Sequence, residues 1–364
     1  MLHEEKKHRI IFIDLMRTFA VFQMVQGHTI DTLLADNFRN SDNLIYATWY
    51  FMRGMTAPIF MFTAGIVFTY LFRLVKKPFN ENPRVNKGIK RGLLLIFLGY
   101  LIRYPTWTVF DFSQVSDYSM GVFLAVDVLQ LIGFGLLALL LLLYISEKIK
   151  LNDYYNFTLV ALLIFLVSPN FFSIDWNSFL PQAIAGYFYT GTGSLFPFFP
   201  WAGYVIAGGV LGSYLAKHPM VFKSSRFSLR LCVIGFAFIV VSIIIDYLSA
   251  LNGNEAVVNS ATLSLIFFRV GFVLMLNAIV SYISLKANSI PKVIILFGRN
   301  TLMIYVVHLL ILYGSAWNPG LYEWIGKTFN GVQAVISAIV MFGLMSLMVL
   351  LFDKFKIKNK QLVT

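Results

Sequence analysis

Two histidines sit inside long apolar runs, His28 in RIIFIDLMRTFAVFQMVQGHTIDTLL and His308 in FGRNTLMIYVVHLLILYG. Imidazole exchanges a proton near neutral pH, so either can serve as a general base toward a hydroxyl or an amine. An Arg or Asp within an apolar span costs ~2.5–3.5 kcal/mol near the helix centre, so it marks a functional position by default. The first run is the richest. Asp14 and Arg17 are three residues apart and share a helix face. Arg17 and His28 are eleven apart, which at ~100° per residue is close to three turns and puts them ~16 Å apart on one face. Gln23 and Asp31 lie near the same stripe. Asp127 and Gln130 stand in AVDVLQLIGFG, and Arg269 in SLIFFRVGF with Asp246 as a candidate partner on the preceding run. Tyr305 precedes His308 by one turn, and Trp201 opens another apolar run. For His28 an interfacial anchor stands beside the catalytic reading, and for Arg269 a structural ion pair stands beside a substrate contact.

These groups need a scaffold, and composition says what it is. Of 364 residues, 58% are hydrophobic and only 13% charged, against about a quarter charged in soluble domains. The solvent, and one partner, is membrane lipid. The net charge of +12 does not point to nucleic acid, because the basic residues sit in short segments between apolar runs, the positive-inside pattern. The single cysteine, Cys232, allows no disulfide within the chain. The N-terminal stretch reads as an uncleaved first helix, since no small-residue cleavage site follows the first apolar run.

About ten runs are long enough to span ~30 Å of hydrocarbon: 10–34, 47–72, 91–110, 121–146, 154–172, 195–216, 229–250, 262–285, 293–316 and 333–353. The expected fold is an all-α transmembrane bundle forming one domain over 1–364. Every second connection is basic. Lys6, Lys7 and Arg9 precede the first run; Arg73, Lys76, Lys77, Arg84, Lys87, Lys90 and Arg91 follow the second; Lys148 and Lys150 follow the fourth; Lys217, Lys223, Arg226 and Arg230 follow the sixth; Lys286, Lys292 and Arg299 follow the eighth; Lys354, Lys356, Lys358 and Lys360 form the tail. The other connections carry only Arg39, Arg53, Arg103 and Lys327. An even number of spans with both termini cytoplasmic fits this alternation. In that topology His28, His308, Asp127, Gln130 and Arg269 gather in the outward half. The segment 172–194 reads as an interfacial helix or lid. Pro197 and Pro200 open an inward-going helix, and Gly203, Gly208, Gly209 and Gly212 suit close helix packing. There is no P-loop, dinucleotide fingerprint or Cys/His metal cluster in the sequence.

IDLMRTFAVFQMVQGH, RGMTAPIFMFTAG, VLQLIGFGLL with FPFFPWAGYVIAGGVLG, and GRNTLMIYVVH together resemble the membrane-bound acyltransferase superfamily, which includes heparan-α-glucosaminide N-acetyltransferase-like and acyltransferase-3 proteins. The likeness covers nearly the whole chain. It implies transfer of an acyl group, often acetyl from acetyl-CoA, to a carbohydrate or glycolipid hydroxyl or amine across a membrane. Arg17 with His28 matches the acyltransferase-3 pattern, where that histidine is the presumed base. The VLQ and FPFFPW segments look like the heparan-type branch, whose catalytic histidine precedes the second helix. ADNFRNSDNLIYATWYFMRG, the matching stretch here, holds no histidine.

The resulting expectations are these. His28, or else His308, acts as base. Arg17 faces a tunnel for acyl-CoA, with Lys87, Lys90, Arg91 and Arg299 near its phosphates. Gln130, Arg269 or Trp201 steadies the developing oxyanion, and Asp127 and Gln130 belong to the catalytic cluster. No metal takes part. The expected location is a bacterial cytoplasmic (inner) membrane, and the sequence leaves a homo-oligomer open. A transporter or flippase for a lipid-linked saccharide or small anion is the alternative, because intramembrane Arg and His serve transport as well.

Overall fold

A computed structural model of the chain describes residues 10–251, 259–287 and 289–361, with side chains to 357. The expected basic residues Lys6, Lys7 and Arg9, and the side chains of Lys358 and Lys360, lie outside the described residues. The architecture is all-α. The helices are α1 (Ile11–Leu33), α2 (Leu44–Arg73), α3 (Pro83–Ile102), α4 (Asp117–Leu124), α5 (Val128–Lys148), α6 (Asp153–Ser173), α7 (Gln182–Ala185), α8 (Phe198–Lys217), α9 (Ser225–Leu251), α10 (Leu263–Lys286), α11 (Lys292–Arg299), α12 (Thr301–Leu312), α13 (Leu321–Trp324) and α14 (Gly331–Gln361). A two-residue hairpin, Gly314–Ser315 with Asn318–Pro319, is the one sheet among the described residues.

Seven segments, α4 and α5 together counting as one, are long and apolar enough to cross a bilayer, and the bent pair α11–α12 makes up to an eighth. Helices also overlie the other two expected spans, α1 and α3, but their polar residues keep them out of that tally. Lipid tails are as apolar as leucine, so association rests on close packing rather than on burial. Glycines supply it. A Cβ on Gly65 of α2 would run into the carbonyl of Val205 on α8, and one on Gly208 into the carbonyl of Phe62. Gly235 of α9 and Gly271 of α10 meet in the same reciprocal way. Among the described parts, α1 is central, packing against α2, α10, α11, α12 and α14. α9 and α14 turn Leu229, Phe236, Ile243, Ile339 and Leu347 outward.

Several boundaries differ from expectation. α3 begins near 83 rather than 91, because Asn82 caps it, accepting from the Arg84 amide, and Pro83 fills the first turn. Arg84, Lys87, Lys90 and Arg91 therefore lie on a helix and not in a loop. The span expected over 121–146 is broken at 125–127, where Asp127 caps α5. The span expected over 293–316 is bent by 82° between α11 and α12. The segment 172–194 holds two short 3₁₀ turns and the four-residue α7. It is pinned to the bundle where Ser194 Oγ accepts the Val126 amide at 2.9 Å and the Leu195 amide donates to the Val126 carbonyl at 3.0 Å. On this segment Asp175 accepts Tyr189 Oη at 2.6 Å and Ser178 Oγ at 2.8 Å, and these bonds hold its carboxyl below the usual carboxylate range.

Candidate active site

α3 presents Arg84, Lys87 and Arg91 at helical spacing, so the three share one face. They line one end of a cavity of about 260 Å³ walled by α1, α2, α3, α5 and α12. Arg17 of α1 lies on the same wall, and its Nη2 donates to Thr301 Oγ1 at 3.1 Å, tying α1 to the first residue of α12. The remaining wall is mostly apolar, with Phe60, Val67, Leu95 and Ile132 among its residues. One turn beyond Thr301, Tyr305 also lines the cavity. The space is thus cationic at one end and meets a phenol in the direction of the histidines.

Tyr305 leads to an imidazole pair. Its ring is edge-on to His308, with centroids 5.8 Å apart, and the His308 ring lies 5.5 Å from that of His28. His308 is fully buried. Its Nδ1 is 2.7 Å from the Ile304 carbonyl. Since a carbonyl only accepts, Nδ1 carries the proton and Nε2 of the neutral ring is left with a lone pair. That Nε2 has no hydrogen-bond partner. His28 is only partly buried, and its Nδ1 is 3.4 Å from Tyr313 Oη. His28 is therefore the imidazole a second reactant can reach, while His308 is sealed behind it.

The end of the bundle that holds His28 is crossed by ion pairs. Asp31, one turn after His28, binds Arg39 at 3.0 Å and Arg53 at 2.6 Å. Asp36 binds Arg39 and Lys327, each at 3.2 Å. Arg103, at the end of α3, binds Asp127 at 2.6 Å. Every cation that the sequence places in the sparsely basic connections is thus held by an acid.

The other expected residues are distributed as follows. Asp127 and Gln130 form a reciprocal capping box at the start of α5, so the Asp127 carboxylate is engaged by its own helix and by Arg103. Gln130 is fully buried against Gly99, its Nε2 unpartnered. Lys90 and Arg299 are exposed and do not line the cavity, whereas Lys87, Arg91 and Arg17 do. The pairing of Arg269 with Asp246 does not form: Asp246 accepts Ser264 Oγ at 3.3 Å, and Arg269 instead lies over the Trp201 ring, 5.1 Å from its centre. Trp201 and Arg269 are absent from the cavity wall.

Four residues that structure brings to this site were not assigned roles from sequence: Arg84, Arg103, Tyr305 and Tyr313. For Tyr305 the signal was present in its spacing from His308. Tyr313 reaches His28 from 285 residues away in sequence, and no local pattern encodes such a contact.

The family model described as heparan-alpha-glucosaminide N-acetyltransferase, catalytic, matches residues 9–249. No curated protein matches the chain. The matched stretch contains Arg17, His28, the cationic face of α3 and the Arg103–Asp127 pair, while Tyr305, His308 and Tyr313 lie beyond it. The chain belongs to this heparan-alpha-glucosaminide N-acetyltransferase catalytic family.

Proposed function

We propose that this member of the heparan-α-glucosaminide N-acetyltransferase catalytic family transfers an acyl group, acetyl in the first instance. The donor is a CoA thioester entering from the cytoplasmic side, and the acceptor is a carbohydrate or glycolipid hydroxyl or amine on the other side. The observation that carries this reading is the order of groups: Arg84, Lys87, Arg91, Arg17 and Tyr305 line one cavity, and beyond that wall the Tyr305 ring meets His308, whose ring lies against His28. Arginine and lysine suit the phosphates of CoA, and an apolar slot suits its extended arm.

In the proposed reaction His28 takes the proton from the acceptor O–H or N–H as that atom attacks the thioester carbon. The carbonyl oxygen gains negative charge, and the Tyr305 phenol, on the cavity wall, donates to it. The C–S bond then breaks, and the thiolate takes the proton from protonated His28, leaving CoA-SH and the acylated acceptor. His308 accepts from His28 while the latter is charged. The missing histidine before α2 is consistent with this arrangement: Asp31, Arg39 and Arg53 fill that region, and the imidazoles come from α1 and α12 instead. Arg269 and Trp201 have no part in the step.

Membrane vesicles containing the protein, given radiolabelled acetyl-CoA on the cytoplasmic side, should yield a labelled saccharide on the opposite side. Uptake of an unmodified saccharide or anion with no transfer of label would replace this reading with transport.

A further inference from the structure

Apart from the acyl-transfer site, a second cluster of buried polar groups lies between α8 and α10. α8 presents Trp201 and Tyr204 three residues apart, on one face, with ring centroids 5.8 Å apart. α10 sends Arg269 over the Trp201 ring. The three side chains are 5%, 0% and 9% exposed. Four of their polar atoms have no hydrogen-bond partner: Trp201 Nε1, Tyr204 Oη, and Arg269 Nε and Nη1. Among the described residues no ion pair includes Arg269, and Asp246 is turned to Ser264.

The chemistry of the cluster defines what is missing. Indole and guanidinium N–H groups only donate, and the phenol can donate as well. The phenol oxygen can also accept, but one such acceptor cannot satisfy the indole and guanidinium donors that the two helices bring together. The cluster also carries a unit positive charge inside a bundle whose surroundings are lipid, where charges are held by partners of opposite sign. The face of Trp201 offsets part of that charge but accepts none of the four hydrogen bonds in line. Water would supply an acceptor without supplying charge. Because the side chains are nearly sealed, the occupant must be small.

We propose that Arg269, Trp201 and Tyr204 form a binding site for a small monovalent anion, a halide or a single carboxylate group. The site is separate from the cavity lined by Arg17 and Tyr305, since none of its residues lines that cavity. It does not depend on the acyltransferase reading. An occupied site neutralises the α8–α10 interface and stabilises the folded bundle by mass action.

The test uses purified full-length protein in detergent, at constant ionic strength, with gluconate, whose polyol chain is too large for the nearly sealed cluster, replaced stepwise by chloride or by acetate. The wild-type Tm should rise saturably by about 2 °C or more, with a parallel change in tryptophan fluorescence. Arg269→Met should abolish both responses, and in gluconate it should be at least as stable as wild type, because it removes an uncompensated buried charge. If Arg269→Met does not fold, Tyr204→Phe decides. It removes one oxygen and should raise the half-saturating anion concentration on the order of tenfold. Saturation by chloride alone identifies a free halide as occupant, and saturation by acetate alone identifies a carboxylate group; either supports the site. Identical Tm and fluorescence in all three anions overturns it. So does an anion response that survives Arg269→Met or is unchanged by Tyr204→Phe.

Discussion

If His28 is the base and His308 its support, replacing the two must give coupled losses of rate. The geometry sets the size of the coupling. An N–H···N bond of ~2.9 Å, with ~1.1 Å from each ring centre to its nitrogen, separates two hydrogen-bonded imidazole centres by ~5.1 Å. The observed 5.5 Å is within a few tenths of an ångström of that, and His308 keeps an unpartnered Nε2. A small ring rotation completes the bond once His28 is protonated. A hydrogen bond to a charged group contributes ~1.5–3 kcal/mol, so His308→Ala should lower kcat by ~10–150-fold. His28→Ala removes the base and should cost ~10²–10⁴-fold. The double variant should lose no more than His28→Ala alone, because His308 acts only through His28. The assay is turnover of acetyl-CoA per folded molecule, with folded protein counted by gel filtration and CoA affinity measured separately. Both should be near wild type for His28→Ala. Losses that multiply in the double variant would show that the histidines act independently. A His28→Ala rate above about a third of wild type, far outside the range for a base, would show that His28 is an interfacial anchor.

Three further outcomes follow from the structure. Lys87→Ala with Arg91→Ala should weaken CoA binding, by a factor that shrinks at high salt, whereas Lys90→Ala, off the cavity wall, should leave it unchanged; titration at two ionic strengths checks both. In a Cys232→Ser background, Asn80→Cys should react with an impermeant thiol reagent only from the cytoplasmic side and Thr190→Cys only from the other, both positions being exposed; labelling of position 190 from the cytoplasm would invert the topology. Asp153 is almost fully buried, accepts Arg73 Nε at 2.7 Å and Ser213 Oγ at 2.9 Å, and lies 3.7 Å from Lys217 Nζ. Asp153→Asn should therefore destabilise the protein by ~3–5 kcal/mol, because it leaves the Arg73 charge uncompensated, and a thermal melt of the purified variant should show it.

The sequence by itself determined the all-α membrane architecture, because a hydrocarbon solvent accepts only backbone that satisfies itself, and that demand writes long apolar runs into the chain. It also determined that Arg17 and His28 share a face, since both belong to one helix of fixed period. The beginning of α3 was legible too, in Asn82 and Pro83, but apolarity pointed elsewhere: a helix whose first nine residues carry Arg84, Lys87, Lys90 and Arg91 looks like a loop to a hydropathy reading. Which of those cations face a cavity was settled only by how α3 packs on α2 and α5. The partner of His28 was likewise beyond the reach of local pattern. His308 and Tyr313 come from the far end of the chain, delivered by the 82° bend between α11 and α12. The fate of Arg269 was decided in the same way. Its sequence neighbourhood offered Asp246, but Asp246 turned to Ser264, and the guanidinium met Trp201 on another helix. Periodicity fixes the face on which a side chain stands; only the packed bundle fixes what stands opposite, because that depends on the angle and depth at which two helices meet.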